Sequence, residues 1–282
     1  NTAFGKALWP VVPSAENREV SNNVDTRAEE RNYGLSAQLD WKLSGGLTLT
    51  SVTAWRGWTN TQYQDLDRLS APTASLPQQD DKGDLDFNQF SQEFRLTSAK
   101  GNFLEYVAGL YYLHGESDET YRRDITAAGS GYVGYGQAAY ATQSDNFAIF
   151  GESTLNFTDR FRGIAGLRWT TDKLSYTHLR DRYPAALALP GVGATQGCIS
   201  GSTSAHEFSG RVGPQFDITR DITTYATYSR GYKGPAFNVF FNFVDGRDTL
   251  ALKPETSNSY EIGLKSTSFN KRLRLNVAAF ST

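Results

Sequence analysis

The 282-residue chain predicts an all-β fold: an antiparallel transmembrane β-barrel meander of about ten long strands. Five short turns alternate with four long polar loops, and short turns on one side with long loops on the other are the signature of an outer-membrane barrel. Strict alternation of apolar and polar residues runs through segments of 12 or more residues, against about 5–6 for an ordinary globular strand. Aromatics make up 13% of the chain, with 15 Tyr, 17 Phe and 5 Trp, and several fall near strand ends, where an interfacial girdle needs them.

The elements follow in order. Residues 31–43 place Tyr33, Leu35, Ala37, Leu39, Trp41 and Leu43 on one face and Asn32, Ser36, Gln38, Asp40 and Lys42 on the other, which is a strand with one greasy and one wet side. Ser44-Gly45-Gly46 turns the chain into a more weakly patterned strand near 47–60. A long segment near 68–86 leads to a strand near 86–99, and Lys100-Gly101-Asn102 turns into one near 103–115. The next long loop is expected near 116–142. At 146–157, Phe147, Ile149, Leu155 and Phe157 oppose Asn146, Glu152, Thr154 and Asn156; Thr158-Asp159-Arg160 turns; and at 161–172 Phe161, Ala165, Leu167 and Trp169 oppose Arg162, Arg168, Thr170 and Asp172. A third long loop near 175–203 precedes strands near 204–218 and 222–234, joined at Thr219-Arg220-Asp221. A fourth near 235–253 precedes a strand at 258–266 carrying Tyr260, Ile262 and Leu264, then a turn at Asn270-Lys271 and a last strand near 272–280.

Composition sets limits on function. No run of about 18 apolar residues is present, so no transmembrane helix is available, while alternation in a spanning barrel averages to an ordinary hydropathy. A formal net charge of −2 excludes a strongly electrostatic nucleic-acid partner. Without an initiator Met or a charged-then-apolar leader, the sequence reads as a piece of something longer. The single cysteine, Cys198, falls in the third loop, and either an oxidising surface location or a free thiol without a role fits it.

Several segments resemble TonB-dependent outer-membrane receptors: YATYSRGYKGPAFN at 225–238, KPETSNSYEIGLK at 253–265, FSQEFRL at 90–96, YVAGLYY at 106–112 and AGLRWT at 165–170. The chain has Gly-Pro-Ala where the family commonly has Gly-Gly or Ser-Gly-Gly before Phe-Asn. The resemblance implies that residues 1–282 are a partial barrel domain, a middle section of a 22-strand barrel, with the plug domain and C-terminal strands absent. It also implies active uptake of a scarce nutrient across a Gram-negative outer membrane, most often a ferric siderophore, with cobalamin, haem, nickel complexes or glycans as other cargo of the same barrel. The implied partners are outer-membrane lipid, the TonB energising complex through the missing N-terminal region, and the small nutrient, with no cofactor and no nucleic acid. A passive porin or channel is the alternative. An outer-membrane enzyme would need a Ser-His or Asp-His constellation that the segment does not offer, so no catalytic residue is expected.

Chemistry-bearing residues are read accordingly. Anionic or aromatic cargo suits Arg and Tyr on external loops, which picks out Arg122, Arg123, Tyr132, Tyr135 and Tyr140 in one loop and Arg180, Arg182 and Tyr183 in another. Arg162, Arg168, Arg230 and Lys233 are expected to face the lumen and pair with carboxylates there. Gly129-Ser130-Gly131-Tyr132-Val133-Gly134 matches dinucleotide-binding spacing but lacks the preceding strand and following helix, so it reads as a flexible loop. His114, His178 and His206 are expected at the outer rim without a metal, and Asp65, Asp67, Asp84 and Asp86 as solvated rim charge.

Overall fold

The computed structural model describes residues 8–12, 14–71, 73, 76–127 and 131–282. Ten strands form one antiparallel sheet in chain order: β1 Arg27–Lys42, β2 Thr48–Asp65, β3 Gln78–Thr97, β4 Leu104–Ala127, β5 Gly131–Asn156, β6 Phe161–Tyr183, β7 Gln196–Thr219, β8 Ile222–Lys233, β9 Glu255–Ser268 and β10 Leu273–Ser281. Each expected strand is present, and β1 and β10 are the two sheet edges. The short turns sit where the sequence puts them. Gly45, Gly46 and Gly101 take positive φ there, and at the last turn Phe269, Asn270 and Lys271 do so without being glycine.

Three of the four expected long loops are corrected. Residues 116–142 belong almost wholly to β4 and β5, with only 128–130 between them, and those lie outside the described residues. The 68–86 and 175–203 segments shrink to 66–77 and 184–195, because β3, β6 and β7 extend into them. The strand part of the dinucleotide-like glycine pattern, from Gly131 onward, is the start of β5, and Gly129 and Ser130 lie outside the described residues. The fourth loop, 234–254, matches its expectation and is pinched by an antiparallel bridge between Ala236 and Leu252. At about 3.3 Å per residue, the 26 residues of β5 run about 85 Å, whereas a tilted spanning strand needs only about 9–11 residues. The sheet therefore continues well past the thickness of a bilayer.

Register assigns the two faces. Trp55, Phe90 and His114 are direct cross-strand neighbours, as are Tyr112 and Phe147, and Ile149, Trp169 and Phe208. With Tyr33, Val212, Tyr260 and Ile262 they form an exposed aromatic and aliphatic band on one face, the outer face. Polar groups inside the band satisfy one another, as lipid requires: Thr53 Oγ1 donates to Gln92 Oε1 at 2.5 Å and Gln92 Nε2 donates to Ser51 Oγ at 3.0 Å. Gly57 lies under the ring of Tyr33, whose Cε2 stands 2.3 Å from where a Cβ would be, so a side chain there would expel the ring that covers the ladder.

Beyond the band, three carboxylates stand side by side on the outer face, Asp65 opposite Asp80 and Asp80 opposite Asp124. Burial, then the charges of its neighbours, raises Asp80 above the ordinary carboxylate range, and burial does the same for Asp65. Raised folded values mean that the native state holds these protons more tightly than the unfolded chain, so stability falls as pH rises past the ordinary value of about 3.9. Asp80→Asn in the complete protein is expected to flatten that fall and to stabilise by about 0.2–1 kcal/mol at neutral pH. Urea unfolding at a series of pH values checks this; an unchanged slope would contradict it.

Candidate functional site

The other face carries two inserted segments, 184–195 and 234–254, packed against it, and is called the inner face. Within the band's height it is lined by charge. Arg211 forks onto Glu152 with two contacts of 2.7 Å, and Arg162 reaches Asp217 at 2.8 Å. Arg168 lies over the rings of Tyr111 and Phe150. Asn146 and Tyr232 both donate to Asp172.

Above the band, the inserted segments bury a small core against β4, β5 and β6: Ile125, Ala138, Leu189, Val192 and Phe241, with Tyr121, Val133 and Tyr140 packed on it. Gly136 makes room for them, since a Cβ there would meet Val192 Cγ1 at 2.2 Å. Phe243 is fully buried and stacks on His178 at 4.8 Å and against Tyr176 at 5.3 Å. Arg180, 4% exposed, donates from Nε to Ala194 O at 2.9 Å and from Nη1 to Phe241 O and Phe243 O at 3.0 and 2.9 Å. One buried cation thus staples both segments by carbonyls. Burial, then the neighbouring Arg182, pulls its pKa below the usual guanidinium range. Burial, then Arg180, lowers His178 as well. Its Nε2 bonds Phe240 O at 3.1 Å.

Arg123 and Asp81 form the second anchor. Nε and Nη2 of Arg123 meet the two Asp81 oxygens at 2.7 and 2.8 Å, and Nη1 donates to Gly191 O at 2.7 Å. Tyr121 donates to Asp81 at 2.7 Å. Burial, then that bond, pushes the Tyr121 phenol up to about 12.

The eight Arg and Tyr residues singled out as one loop-borne ligand set therefore divide between two faces of strands. Arg123, Tyr140, Arg180 and Arg182 occupy inner positions, and the first three are engaged in packing the inserted segments. Arg122, Tyr132, Tyr135 and Tyr183 occupy outer positions. Among the four residues expected at the lumen, Arg162 and Arg168 share the inner face. Lys233 lies opposite Glu255, 3.3 Å away and largely exposed. Ideal alternation would put Arg230, three residues from Lys233, on the opposite side of β8, yet the bonds of Arg230 to Glu207 and of Tyr232 to Asp172 both run to inner-register residues. Arg230 shares the register side of Tyr228 while its guanidinium reaches Glu207 at 3.2 Å. The histidines are not gathered at the rim. His114 binds Asp145 at 2.9 Å and His206 stacks on Trp169, both at the band, while His178 is buried on the inner face. Among the described residues no cluster of His, Cys, Asp or Glu is arranged to hold a metal ion. Asp65 and Asp67 cap the 66–69 turn, accepting from Arg68 N at 2.7 Å and Leu69 N at 2.9 Å. Cys198 is an exposed free thiol on β7 rather than in a loop.

Two recesses on the inner face of β1 to β4 were not singled out from sequence. One, about 500 Å³, is lined by Asn32, Arg56, Trp58, Phe87 and Gln89. The other, about 390 Å³, lies further from the short turns and is lined by Glu30, Asn60, Gln62, Glu119 and Tyr121. Trp58 lies directly opposite Phe87, and Arg56 opposite Gln89. The signal was available in the alternation: the even positions of β2 form its wet face, and a tryptophan among Arg56, Asn60 and Gln62 is out of place unless something planar packs on it.

A lipid-facing aromatic band, a charged inner wall and short turns at one end define a section of a transmembrane β-barrel of the outer-membrane type. The chain belongs to the family described as TonB dependent receptor-like, beta-barrel, which it matches over residues 2–282. It is similar to the catecholate siderophore receptor Fiu of Escherichia coli (strain K12), 29% identical over 151 residues that make up 50% of this chain and 20% of that protein. In fold it is similar to the ferric yersiniabactin uptake receptor FyuA from Yersinia pestis, with a TM-score of 0.74, 17% identity, and coverage of 92% of this chain and 37% of that one. The siderophore receptor PiuA from Acinetobacter baumannii gives a TM-score of 0.70, 14% identity, and coverage of 91% and 40%. The chain thus spans a minor part of the length of each relative. Barrels of this family are outer-membrane proteins, and the family consists of transport receptors rather than enzymes.

Proposed function

We propose that the complete protein is an outer-membrane receptor for energised uptake of a ferric siderophore, with this chain supplying part of the barrel wall. A plug and further strands lie outside this sequence in that reading, and the TonB complex supplies the energy through the plug. The observation that carries the proposal is the inner recess of Arg56, Trp58, Phe87 and Gln89. It offers ring faces for aromatic groups, a guanidinium for anionic oxygens and an amide for hydrogen bonding, which is the chemistry a ferric catecholate presents. The inserted segments that fill the inner face above the band support a receptor over an open passive channel.

The test is iron uptake by cells carrying the complete gene as their sole siderophore receptor, supplied with radiolabelled ferric catecholate. Uptake is expected to require the proton gradient and the TonB protein. Arg56→Ala combined with Trp58→Ala is expected to weaken ferric-catecholate binding by about tenfold to a hundredfold, from the loss of about 1–3 kcal/mol in cation–π and charge contacts. Uptake that persists without TonB, or binding that ignores the double substitution, would refute the reading.

A further inference from the structure

We propose that the outer face of the strand extension is a docking surface for carbohydrate, namely the sugar chains of the glycolipids that form the outer leaflet around the barrel. Four residues expected to contact cargo point away from the inner face and gather into an aromatic platform instead. Arg122 lies 3.9 Å over the Tyr135 ring and is held there by Asp124 through Nε and Nη2 contacts of 2.7–3.1 Å. The far side of Tyr135 stacks on Tyr183 at 6.0 Å with planes 25° apart. Tyr183 and Tyr132 remain 59% and 52% exposed, so two ring faces are open. Gln137 and Asp181, paired across β5 and β6 one outer position below the Tyr135 and Tyr183 pair, add an amide and a carboxylate.

Continuing down the same face, β5 presents Ala139 and Ala141, and β6 presents Leu179 and Thr177. These small or apolar residues line a trough of about 570 Å³, bordered on the other side by Asp86 and Asp118. A ring face that packs against the C–H side of a pyranose, beside amide and carboxylate groups that bond its hydroxyls, is the arrangement sugar recognition uses. A trough leading away from such a platform suits a chain of several sugars rather than one.

Position selects the occupant. From Phe147 in the band to Tyr135 is about twelve residues along β5, or about 40 Å of strand, which at a barrel tilt of about 40° is about 30 Å of height. That is above lipid headgroups and within the layer of sugars attached to them. Orientation selects it as well, because the platform faces sideways along the membrane rather than into the barrel. Arg122 is already neutralised by Asp124 and the trough is acidic, so the surface favours neutral hydroxylated sugar over lipid phosphate.

The test uses the complete protein in detergent, with two probes: a neutral outer-core oligosaccharide free of carboxylate and phosphate, and lipid A alone. Calorimetry is expected to show binding of the oligosaccharide, weakened about tenfold by Tyr135→Ala with Tyr183→Ala and retained by Tyr135→Phe, which keeps the ring. Ser202→Ala, elsewhere on the outer face, serves as the control. Saturation-transfer NMR on the unaltered protein is expected to pass magnetisation from tyrosine rings to sugar protons, and it decides the matter even where the double variant fails to fold. Binding of lipid A alone, absence of transfer, or a folded double variant with unchanged affinity would overturn the proposal. Ferric-siderophore uptake by the folded double variant is expected to be unchanged, which separates this surface from the inner recess.

Discussion

Asp81→Ala in the complete protein is expected to destabilise the part of the barrel wall above the aromatic band by about 3–5 kcal/mol, because it strands a buried guanidinium. Asp81 is 1% and Arg123 12% exposed at their side chains, and the carboxylate also accepts from Tyr121. With the carboxylate gone, Arg123 keeps the Gly191 carbonyl and its place over the Phe241 ring but has no counter-charge, and the 184–195 segment is expected to loosen with it. Two readouts follow. Urea unfolding reports the stability loss, and ultraviolet titration is expected to show the Tyr121 phenol falling from about 12 toward the ordinary value. The native protein loses the stability tied to that phenol as pH rises from about 10 to about 12, since the unfolded chain gives up the proton first. Pairing Asp81→Leu with Arg123→Met removes both charges and is expected to recover much of the loss, as apolar replacements of buried pairs do. A single substitution as harmless as the double one would show that the pair carries no such role.

Phe243→Ala is expected to cost about 3–5 kcal/mol as a large-to-small change at a fully buried site. The ring is 0% exposed and fills the space between Tyr176 and His178. Removing it takes away the packing that holds the backbone whose carbonyls satisfy Arg180, so the 234–254 segment is expected to leave the inner face as a unit. Hydrogen exchange across 234–254 and tryptic cleavage after Arg247 measure the release. His178 supplies an independent signal. Its depressed pKa is expected to climb toward about 6.5 once water and distance from Arg180 restore the charged form. Unaltered exchange protection together with an unaltered histidine titration would refute the assignment of Phe243 as the anchor.

The two anchors show how the Arg and Tyr set read from sequence divides between the two faces of the sheet. Arg122 and Arg123 are adjacent, chemically identical and rich in aromatic company, yet one joins an outer platform and the other a buried inner pair. Adjacent residues of a strand face opposite ways, so treating 116–142 as loop removed the very information that separates them. That region was hard to recognise because above the bilayer both faces of the sheet meet water or inserted protein, and apolar alternation fades. Glycine, alanine and tyrosine replace it, with Gly134 and Gly136 giving way to inserted side chains. Local composition then resembles a loop while the hydrogen-bond ladder runs on.

The sequence by itself determined the number and order of strands, the short turns and the side of each lower strand that meets lipid. Those properties follow from alternation and turn chemistry, which are local. Only the tertiary structure decided how far the strands extend, that 184–195 and 234–254 fold onto the inner face, and which members of each Arg and Tyr cluster point inward. These depend on cross-strand register and on contacts such as Arg180 with the carbonyls of residues about 60 positions away, and no local pattern encodes partners so distant in the chain.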